Sequence, residues 1–412
     1  MNRRGFIRDL AATAGLSAPA LAQLRNPNDI IHVGIVGPGG RGTVLLRECI
    51  EYGSKYNARV VAACDIWNER RDAAAKRLRE AYGTEPKVYR RLDDMLGDRD
   101  LDAVIIATPD HQHAKMLKQA VEAGKDVYCE KPMANVLSEA NDAIDAVRRT
   151  GRIVQIGTQR RSYPKFRAAA RMLQSGVIGD IIKVEQIFND YAPYRWAQKP
   201  EALQSLKESD TDWKEFLYGK RYRPFDPRIY RSFRLFRDFS SGIIDQWMTH
   251  AIDAIHFITG ESYPMSVVAE GGIYAWKDYR ENYDTIEASL KYGFKGKPFL
   301  VSYLVCLCNG SGKAARVLGT KGTMEFEDSF RVSGDGIKGP QALRSAEEIP
   351  DDPAMHHMAN WLDCVRRRDS KNIYASAEAG YGHSIACIMT TDALWSGRRM
   401  IFEPGKRDIH AG

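Results

Sequence analysis

A glycine-rich turn near the start of the chain gives the first indication of chemistry. The residues Gly37-Pro38-Gly39-Gly40-Arg41-Gly42 follow an apolar run, Ile30–Val36, that is typical of a buried strand, and a helical pattern follows them. Gly37 permits a tight turn, Gly39 lets backbone amides approach a pyrophosphate, and Gly42 lets the helix pack closely on the strand. The whole turn is therefore predicted to bind a dinucleotide, with the phosphates at the helix N-terminus.

A carboxylate follows the second predicted strand. The run Arg59–Cys64 ends at Asp65, 23 residues after Gly42. A carboxylate at this place accepts hydrogen bonds from the adenosine ribose hydroxyls. Its charge repels a 2′-phosphate, so NAD is expected as the cofactor in preference to NADP, although Arg70 and Arg71 lie close by in the sequence.

Two further predicted strands end in polar residues. Asp102–Ala107 leads into Thr108-Pro109-Asp110-His111-Gln112-His113, and Asp126–Cys129 leads into Glu130-Lys131-Pro132. In open α/β sheets, ligands bind at the carboxyl ends of the strands. Both strand ends are therefore predicted to face the cofactor, through Thr108, Pro109, His113, Glu130 and Lys131.

Lys131 is the predicted catalytic residue. An ammonium group beside a bound nicotinamide can hydrogen-bond the hydroxyl or carbonyl oxygen of a substrate. Burial and the positive nicotinamide ring both lower its pKa towards the range that is useful for proton transfer. Glu130 and Pro132 are expected to set the direction of the side chain.

The elements that position these residues alternate between strands and helices as far as residue 156. A helix is then predicted over residues 165–175, and strands of alternating polar and apolar residues dominate the remainder. We therefore predict an α/β fold with two domains. Residues 30–156 form a Rossmann dinucleotide-binding domain, and residues 157–412 form an α+β domain with an open, mainly antiparallel sheet.

Composition excludes several classes of function. The 412 residues carry 60 Lys and Arg against 53 Asp and Glu, a mild excess of +7 without a dense basic run, so nucleic acid is not an expected partner. The seven cysteines are scattered, without a CxxC pair or a His spacing typical of zinc, so no metal site is expected.

The first 22 residues resemble a targeting segment. Adjacent arginines at Arg3 and Arg4 precede a mildly apolar stretch, Leu10–Leu21, and Ala20-Leu21-Ala22 offers a small-x-small cleavage site. The stretch is shorter than the roughly 20 helical residues that span a membrane. No later segment has the sequence pattern of a transmembrane helix. This pattern predicts a twin-arginine export signal over residues 1–22 and a periplasmic or otherwise extracytoplasmic location.

Taken together in this order, the motifs resemble the Gfo/Idh/MocA oxidoreductases, typified by glucose-fructose oxidoreductase and inositol dehydrogenase. The resemblance covers the chain after the export signal and includes the turn Gly319-Thr320-Lys321-Gly322-Thr323. It implies a Rossmann domain followed by an α/β domain whose open sheet mediates dimer or tetramer contacts. It also implies a sugar, a polyol or one of their keto forms as the substrate.

One catalytic segment departs from the pattern of that family, which resembles three glycines followed by Asp, His and Asp at fixed spacing. Ser240–Asp253 fits without a gap only if Gln246 takes the first Asp position. On a helix, Gln246 lies about 40° from His250, whereas Asp245 lies about 140° from it. We predict that His250 accepts a proton together with Lys131 and that Gln246 orients it. Asp245 is the alternative partner, if it reaches the site from a non-helical position.

The region between residues 189 and 239 is rich in aromatic residues and arginine, and it has two interpretations. Aromatic rings beside arginines suit carbohydrate recognition, because the C–H faces of sugars stack on rings. The same long insert could instead wrap around a neighbouring subunit. The residues that support either interpretation include Tyr191, Tyr194, Arg195, Trp196, Trp213, Tyr230 and Arg231.

The expected function is that of an NAD(P)-dependent oxidoreductase that acts on a sugar, polyol or keto-sugar with a tightly bound cofactor. An alternative is a redox-neutral glycosidase or lyase, in which bound NAD oxidises a glycoside transiently. A third possibility is a binding protein that holds the cofactor without turnover. Export favours a retained cofactor, because free nicotinamide cofactor is not expected outside the cytoplasm.

Overall fold

The computed structural model describes residues 29–412, so the predicted export signal lies outside the described residues. Its first sheet has six parallel strands in the order β3-β2-β1-β4-β5-β6. The strands are β1 (Ile31–Val36), β2 (Ala58–Cys64), β3 (Lys87–Tyr89), β4 (Ala103–Ile106), β5 (Asp126–Cys129) and β6 (Val154–Ile156). The connecting helices are α1 (Gly40–Gly53), α2 (Asn68–Tyr82), α3 (Leu92–Leu96), α4 (His113–Glu122) and α5 (Leu137–Thr150).

The order of these strands decides where a ligand can bind. The central strands are rich in Val, Ile and Ala and are almost wholly buried, as expected for a parallel sheet covered on both faces. The strand order reverses between β1 and β4, so the loops at their carboxyl ends diverge and leave a crevice. The glycine turn and Thr108-Pro109 both open into this crevice.

The second sheet has ten strands in the order β14-β13-β12-β11-β7-β10-β9-β8-β15-β16. Only β7 and β10 are a parallel pair; the other pairs are antiparallel. The strands are β7 (Ile181–Asn189), β8 (Ser266–Gly272), β9 (Thr285–Tyr292), β10 (Phe299–Cys306), β11 (Lys313–Gly319), β12 (Thr323–Phe326), β13 (Phe330–Ser333), β14 (Glu347–Glu348), β15 (Met400–Glu403) and β16 (Asp408–Ala411). The predicted α/β fold class, with a mainly antiparallel second sheet, is confirmed.

The helices of the second half are α6 (Pro164–Gln174), α7 (Pro200–Gln204), α8 (Trp213–Leu217), α9 (Pro227–Ser232), α10 (Thr249–Thr259), α11 (His357–Arg367) and α12 (Ala377–Ser396). Of these, α6, α10 and α12 pack on one another against the inner face of the second sheet. The helices cover this face because it is apolar. Along β10, for example, Phe299, Val301 and Tyr303 point inward, while the residues between them point outward.

One helix of the second half packs on the Rossmann domain. The apolar stripe of α11 includes Met358, Trp361 and Leu362, which are wholly buried in the core formed by α1 and the first sheet. His357, at the first position of α11, joins this contact, since its Nε2 lies 2.9 Å from the carbonyl oxygen of Ile156 in β6. The sequence analysis assigned this segment to the second domain. In the structure, its apolar stripe packs on the first domain instead.

Within residues 29–412, no helix combines the length and the apolar character that a membrane crossing requires.

Candidate active site

A cavity of about 670 Å³ lies at the carboxyl ends of the Rossmann strands, between the first sheet and the second domain. Most of the residues predicted from the sequence to bind the cofactor or to act in catalysis line it. They are Gly37, Gly39, Gly40, Arg41, Asp65, Thr108, Pro109, His113, Glu130, Lys131, Gln246 and His250. Pro38, Gly42 and Asp245 are the predicted site residues that do not line it.

The glycine turn is shaped for a pyrophosphate. Gly37 has a positive φ of 74°, and a Cβ there would lie 2.8 Å from the carbonyl oxygen of Ala107. A Cβ at Gly42 would collide with the carbonyl of Gly37, so α1 can pack this closely only with glycine there. At Gly39 a Cβ would meet no atom within 4 Å, because the backbone faces open space. The first N–H groups of α1 lack helical partners and point to where phosphate oxygens would lie.

An ion pair ties this turn to the catalytic strand end. Arg41 donates through Nε to Oε1 of Glu130 at 2.8 Å, and the other carboxylate oxygen of Glu130 accepts the backbone N–H of Lys131 at 3.1 Å. Glu130 is 4% exposed, and Gly157 leaves room for it, since a Cβ there would lie 2.6 Å from its carboxyl carbon. The backbone of Lys131 is therefore held at a set position relative to the phosphate turn.

His113 joins the two strand-end loops. Its Nε2 lies 2.8 Å from the carbonyl oxygen of Thr108, and its Nδ1 lies 2.8 Å from that of Pro132. The ring therefore connects the loop after β4 to the loop after β5, with its side towards the cavity. This contact keeps Thr108 and Lys131 at the same end of the crevice.

Lys131 is anchored by an irregular turn of the second domain. Residues Ile244–Met248 form a π-helical turn, in which the N–H of Thr249 donates to the carbonyl of Ile244. The Nζ of Lys131 donates to the carbonyl oxygens of Asp245 and Gln246, at 3.3 and 3.0 Å, and to Oε1 of Gln246 at 3.2 Å. π-Helical turns often occur at functional sites. Here the wider turn presents two carbonyls to one ammonium group.

Burial and neighbouring charges act on Lys131 in opposite directions. Burial lowers its pKa, whereas the carboxylates of Asp110 and Glu130 raise it; burial is the larger effect, so the pKa lies below the usual value of 10.5. The direction agrees with the sequence argument that an enclosed lysine is suited to proton transfer.

Gln246 connects Lys131 to a carboxylate that the sequence analysis did not select. Its Nε2 donates to Oδ2 of Asp110 at 2.6 Å, and the hydroxyl of Ser240 donates to the same oxygen at 2.7 Å. The expected hydrogen bond from Gln246 to His250 is absent among the described residues. The reason is that α10 begins at Thr249, so the α-helical spacing assumed between positions 246 and 250 does not apply.

Replacing Gln246 by glutamate is expected to make the fold less stable at about pH 8 than at about pH 6. A carboxylate would replace the amide beside Asp110, and two carboxylates so close cannot both ionise. The pKa of the pair is then raised in the folded state, so its contribution to stability is lost as the pH rises. Lys131 offsets part of the repulsion. The measurement is the difference between the thermal unfolding midpoints at the two pH values.

Gln246→Leu is the matched control, because it removes the same amide without adding a charge. Equal pH dependence of the two variants would show that Asp110 and position 246 are not in electrostatic contact.

Asp245 is placed at the start of the π-helical turn and not in the cavity. Its Oδ2 accepts the backbone N–H of Ser241 at 2.7 Å, and the side chain is 1% exposed. Burial and the nearby charge of Asp110 raise its pKa to about 7. The alternative in which the carboxylate of Asp245 partners His250 is therefore not the arrangement observed, and only its backbone carbonyl contacts Lys131.

His250 faces the cavity close to Lys131. Burial and then the positive charges of Lys131 and Arg160 hold its pKa well below the usual 6.5, although the charge of Asp253 opposes them. At neutral pH the imidazole is uncharged and can accept a proton. Asp253, one turn further along α10, is paired with Arg161 at 2.9 Å and contacts Nδ1 of His383 at 3.3 Å.

Asp65 lies at the other end of the cavity. One of its carboxylate oxygens accepts the backbone N–H of Trp67 at 2.8 Å, and burial raises its pKa to about 6. Two guanidinium groups flank the indole of Trp67, that of Arg70 at 4.9 Å and that of Arg231 at 5.0 Å from the ring centroid. An adenosine ribose bound here would lie beside the carboxylate of Asp65 and close to the guanidinium groups of Arg70 and Arg231.

Asp65→Ala is expected to narrow the preference for NAD over NADP by about tenfold, because the variant loses hydrogen bonds between a charged carboxylate and the ribose hydroxyls. The ratio of the two dissociation constants, measured after the bound dinucleotide has been removed, checks this. Glu69→Ala removes an exposed neighbouring carboxylate and is the control. Equal or tighter binding of NADP by the natural protein would contradict the ribose argument.

A cap covers the crevice. We use this name for residues 198–239, whose aromatic side chains form a separate apolar core around Trp213, Phe216 and Phe239. The cap is attached to the Rossmann domain, since Arg90 donates to the carbonyl of Thr211 at 2.8 Å and His111 contacts that of Phe216 at 2.8 Å. Most of these aromatic residues therefore build the cap itself, and Phe216, Tyr230 and Phe233 also line the cavity.

Among the polar residues that line the cavity, the sequence analysis did not select Asp110 or Arg234. Asp110 lies directly after Thr108-Pro109 at a strand end, and this position was the available signal. Arg234 lies in the cap, 103 residues beyond Lys131 in the chain, and no local pattern marks it.

The comparisons with known proteins agree with this geometry. Residues 31–158 match the profile of the Gfo/Idh/MocA oxidoreductase family, described as an NAD-binding Rossmann fold. The chain is 36% identical over 155 residues to inositol 2-dehydrogenase 1 of Saccharopolyspora erythraea, covering 37% of this chain and 44% of that protein. It is 27% identical over 317 residues to inositol 2-dehydrogenase of Rhizobium meliloti, covering 75% of this chain and 81% of that protein.

Among solved structures, the WlbA dehydrogenase of Bordetella pertussis, in complex with NADH and UDP-GlcNAcA, superposes with a TM-score of 0.64 at 20% identity. The superposition covers 91% of this chain and 99% of that one. This likeness shows a shared fold. The first sheet with its glycine turn is an NAD-binding Rossmann domain.

Proposed function

We propose that this chain, which belongs to the Gfo/Idh/MocA oxidoreductases, transfers hydride between NAD and an alcohol carbon of a sugar, a polyol or a keto-sugar. The observation that carries the proposal is the meeting of Lys131 and His250 in one cavity that begins at the phosphate-binding turn. The inositol dehydrogenases among its relatives act on a polyol, which supports the substrate class.

The protein residues divide the proton chemistry between them. Bound NAD supplies the hydride acceptor. His250, uncharged at neutral pH, accepts the proton of the substrate hydroxyl, and the ammonium of Lys131 stabilises the developing oxyanion by a hydrogen bond. The three protons of Lys131 Nζ point at Asp245 and Gln246, so a substrate oxygen replaces one of these acceptors when it binds.

The cap supports the retention of the cofactor. Phe216, Tyr230 and Arg231 line the cavity from the cap, opposite Asp65 and the glycine turn. Arg90, Arg91 and His111 hold the cap on the Rossmann domain, and this attachment supports slow release of a dinucleotide. In such an enzyme, one substrate reduces the bound cofactor and a second reoxidises it in place.

The same enclosure favours a second candidate function, a redox-neutral glycosidase or lyase reaction. In that reaction a glycoside is oxidised transiently, and the hydride returns to the same sugar after elimination. Glu130 and Lys131 serve either reaction, because both begin with removal of a hydride and a proton from an alcohol carbon.

The test begins with the protein as purified. Denaturation should release NAD in an amount close to one per chain, identified by mass and by its ultraviolet spectrum. Mixing the intact protein with neutral sugars, polyols and sugar acids should give NADH absorbance for a hydride-transfer substrate. Cleavage of an aryl glycoside without net NADH would support the redox-neutral reaction instead. A protein that binds NAD and neither reduces it nor cleaves a glycoside would be inconsistent with both reactions.

Export to the periplasm, or across the membrane in general, is part of the proposal. It rests on Arg3, Arg4 and the cleavage pattern at Ala20-Leu21-Ala22, and a retained cofactor suits an enzyme that is exported already folded. Cell fractionation of a tagged chain, compared with an Arg3→Lys, Arg4→Lys variant, measures the location.

We also propose assembly into a dimer or tetramer through the outer face of the second sheet. This face presents Val268, 40% exposed, on β8 and Leu300, 46% exposed, on β10, with β9 between the two strands. The inner face is already covered by helices. Light scattering on the natural protein and on Leu300→Asp tests whether this face joins two copies.

A further inference from the structure

Arg234 presents an unpaired cation to the cavity. It belongs to the cap and lines the cavity together with Lys131, Gln246 and His250. Within residues 29–412, no carboxylate lies within 4.0 Å of its guanidinium group, and the group donates no hydrogen bond to protein. Its guanidinium group lies over the ring of Phe233, whose centroid is 4.4 Å from Cζ.

The neighbouring backbone is held firmly, so this placement is not that of a loose surface arginine. The side-chain amide of Asn282 donates to the carbonyl of Arg234 at 2.9 Å and to that of Ser240 at 2.8 Å. Asn282 is 3% exposed, and Phe233 is 8% exposed. The stem of Arg234 therefore leaves a rigid support, and its head reaches the partly enclosed cavity.

The charges around Arg234 do not balance. Glu130 is paired with Arg41 at 2.8 Å, and Asp245 does not line the cavity. This leaves Asp110 to face both Lys131 and Arg234, and Asp110 already accepts hydrogen bonds from Ser240 and Gln246. An oxidised nicotinamide would add a further positive charge. The substrate end of the cavity thus has an excess of positive charge.

From this excess we infer that the substrate carries an anionic group, a carboxylate or a phosphate, which Arg234 binds. The inference rests on the proposed function and narrows its substrate to a sugar acid or a sugar phosphate. The planar fork of a guanidinium group matches two oxygens of a carboxylate or phosphate, and such paired bonds are among the stronger ones in proteins. The glycine turn is the predicted site of the cofactor phosphates, so Arg234 is not needed to hold them.

The position of Arg234 in the same cavity as Lys131 and His250 also makes the enzyme selective for an anionic substrate. With the anionic group on Arg234, an alcohol carbon elsewhere on the same molecule can reach Lys131 and His250. Arg195, exposed near the cavity, adds a positive charge that acts on Arg234 and attracts an anionic substrate towards it. A neutral sugar would leave the guanidinium group without an acceptor.

The test is single-turnover reduction of the bound NAD in the holoenzyme, followed by NADH absorbance. The probes are glucose and myo-inositol, the acids gluconate and glucuronate, and glucose 6-phosphate. We expect kcat/KM for at least one anionic probe to exceed that for its neutral counterpart by about 10- to 100-fold. The acid and phosphate probes show which anion is preferred.

Arg234→Met should remove that difference, because it lowers the rate with the anionic probe far more than the rate with its neutral counterpart. Arg234→Lys, which keeps the charge without the fork, should restore part of it. Arg237→Met is the control, since Arg237 is exposed, stacks on Trp395 and does not line the cavity. NAD content and the unfolding midpoint show whether each variant has folded. If Arg234→Met does not fold, the preference of the natural protein for anionic over neutral probes tests the inference.

Equal turnover of neutral and anionic probes by the natural protein would overturn the inference and leave the proposed function intact. Unchanged selectivity in Arg234→Met would also overturn it. Failure of every probe to reduce the bound NAD would overturn the proposed function, and the inference with it.

Discussion

Lys131→Met is expected to slow reduction of the bound NAD by about 10²- to 10⁴-fold while the dinucleotide stays bound. Methionine keeps an unbranched apolar side chain that is one atom shorter than that of lysine, but it cannot donate a hydrogen bond to the reacting oxygen. The cofactor contacts of the glycine turn and of Glu130 do not involve the ammonium group. Single-turnover absorbance measures the rate, and denaturation followed by mass analysis measures the bound NAD.

The control for this variant is Lys118→Met. Lys118 is an exposed lysine on α4 that is paired with Asp142 at 2.9 Å, away from the cavity. It should retain the rate of the natural protein. A Lys131→Met enzyme that reduces its NAD at the natural rate would remove Lys131 from the chemistry.

His250→Asn is expected to lower the same rate by about 10²-fold and to remove the acidic limb of its pH profile. The protonated imidazole cannot accept a proton, so the rate of the natural enzyme falls only as the pH drops through the pKa of His250. Burial and the charges of Lys131 and Arg160 place that pKa well below 6.5. The fall should therefore occur on the acid side of pH 6.5. Rates measured from about pH 8 down to the lowest pH at which the protein stays folded cover the range.

His410→Asn is the matched control, because His410 is exposed near Glu403 and far from the cavity in the fold. If His250→Asn keeps an acidic limb at the same pH as the natural protein, another group accepts the proton. Asp110, which lines the cavity and accepts a hydrogen bond from Gln246, would then be the next candidate to test.

Local sequence was sufficient for five of the six strands of the Rossmann half, whereas the short strand β3 (Lys87–Tyr89) was not predicted. The strand Asp126–Cys129 was predicted with the bounds that the structure has, and β1 and β2 differ by one residue each. The reason is that a buried parallel strand is a continuous apolar run, and its polar end follows directly in the chain. The position of Lys131 at a strand end is therefore readable from a few neighbouring residues.

The second half was less readable. β11 and the strands from β13 to β16 were not predicted. The strands from β13 to β16 have two to four residues each, which is too short for an alternating pattern to stand out. The segment around Gln246 was interpreted as a regular α-helix. Its π-helical turn exists where Lys131 meets the carbonyls of Asp245 and Gln246, and a pattern along one segment does not contain that contact.

The sequence by itself was enough to select the dinucleotide turn, Asp65, the lysine at the end of β5 and the histidine of segment 240–253. Each of these selections depends only on residue type and on neighbours within one short stretch of chain. The tertiary structure decided which groups meet. Gln246 contacts Lys131 and Asp110 across 115 and 136 residues of chain, and Arg234 reaches the cavity only because the cap folds back over the first sheet. These contacts form because distant segments bury apolar surface against each other. The local periodicity of a segment shows that it has an apolar face, but not which other segment covers that face.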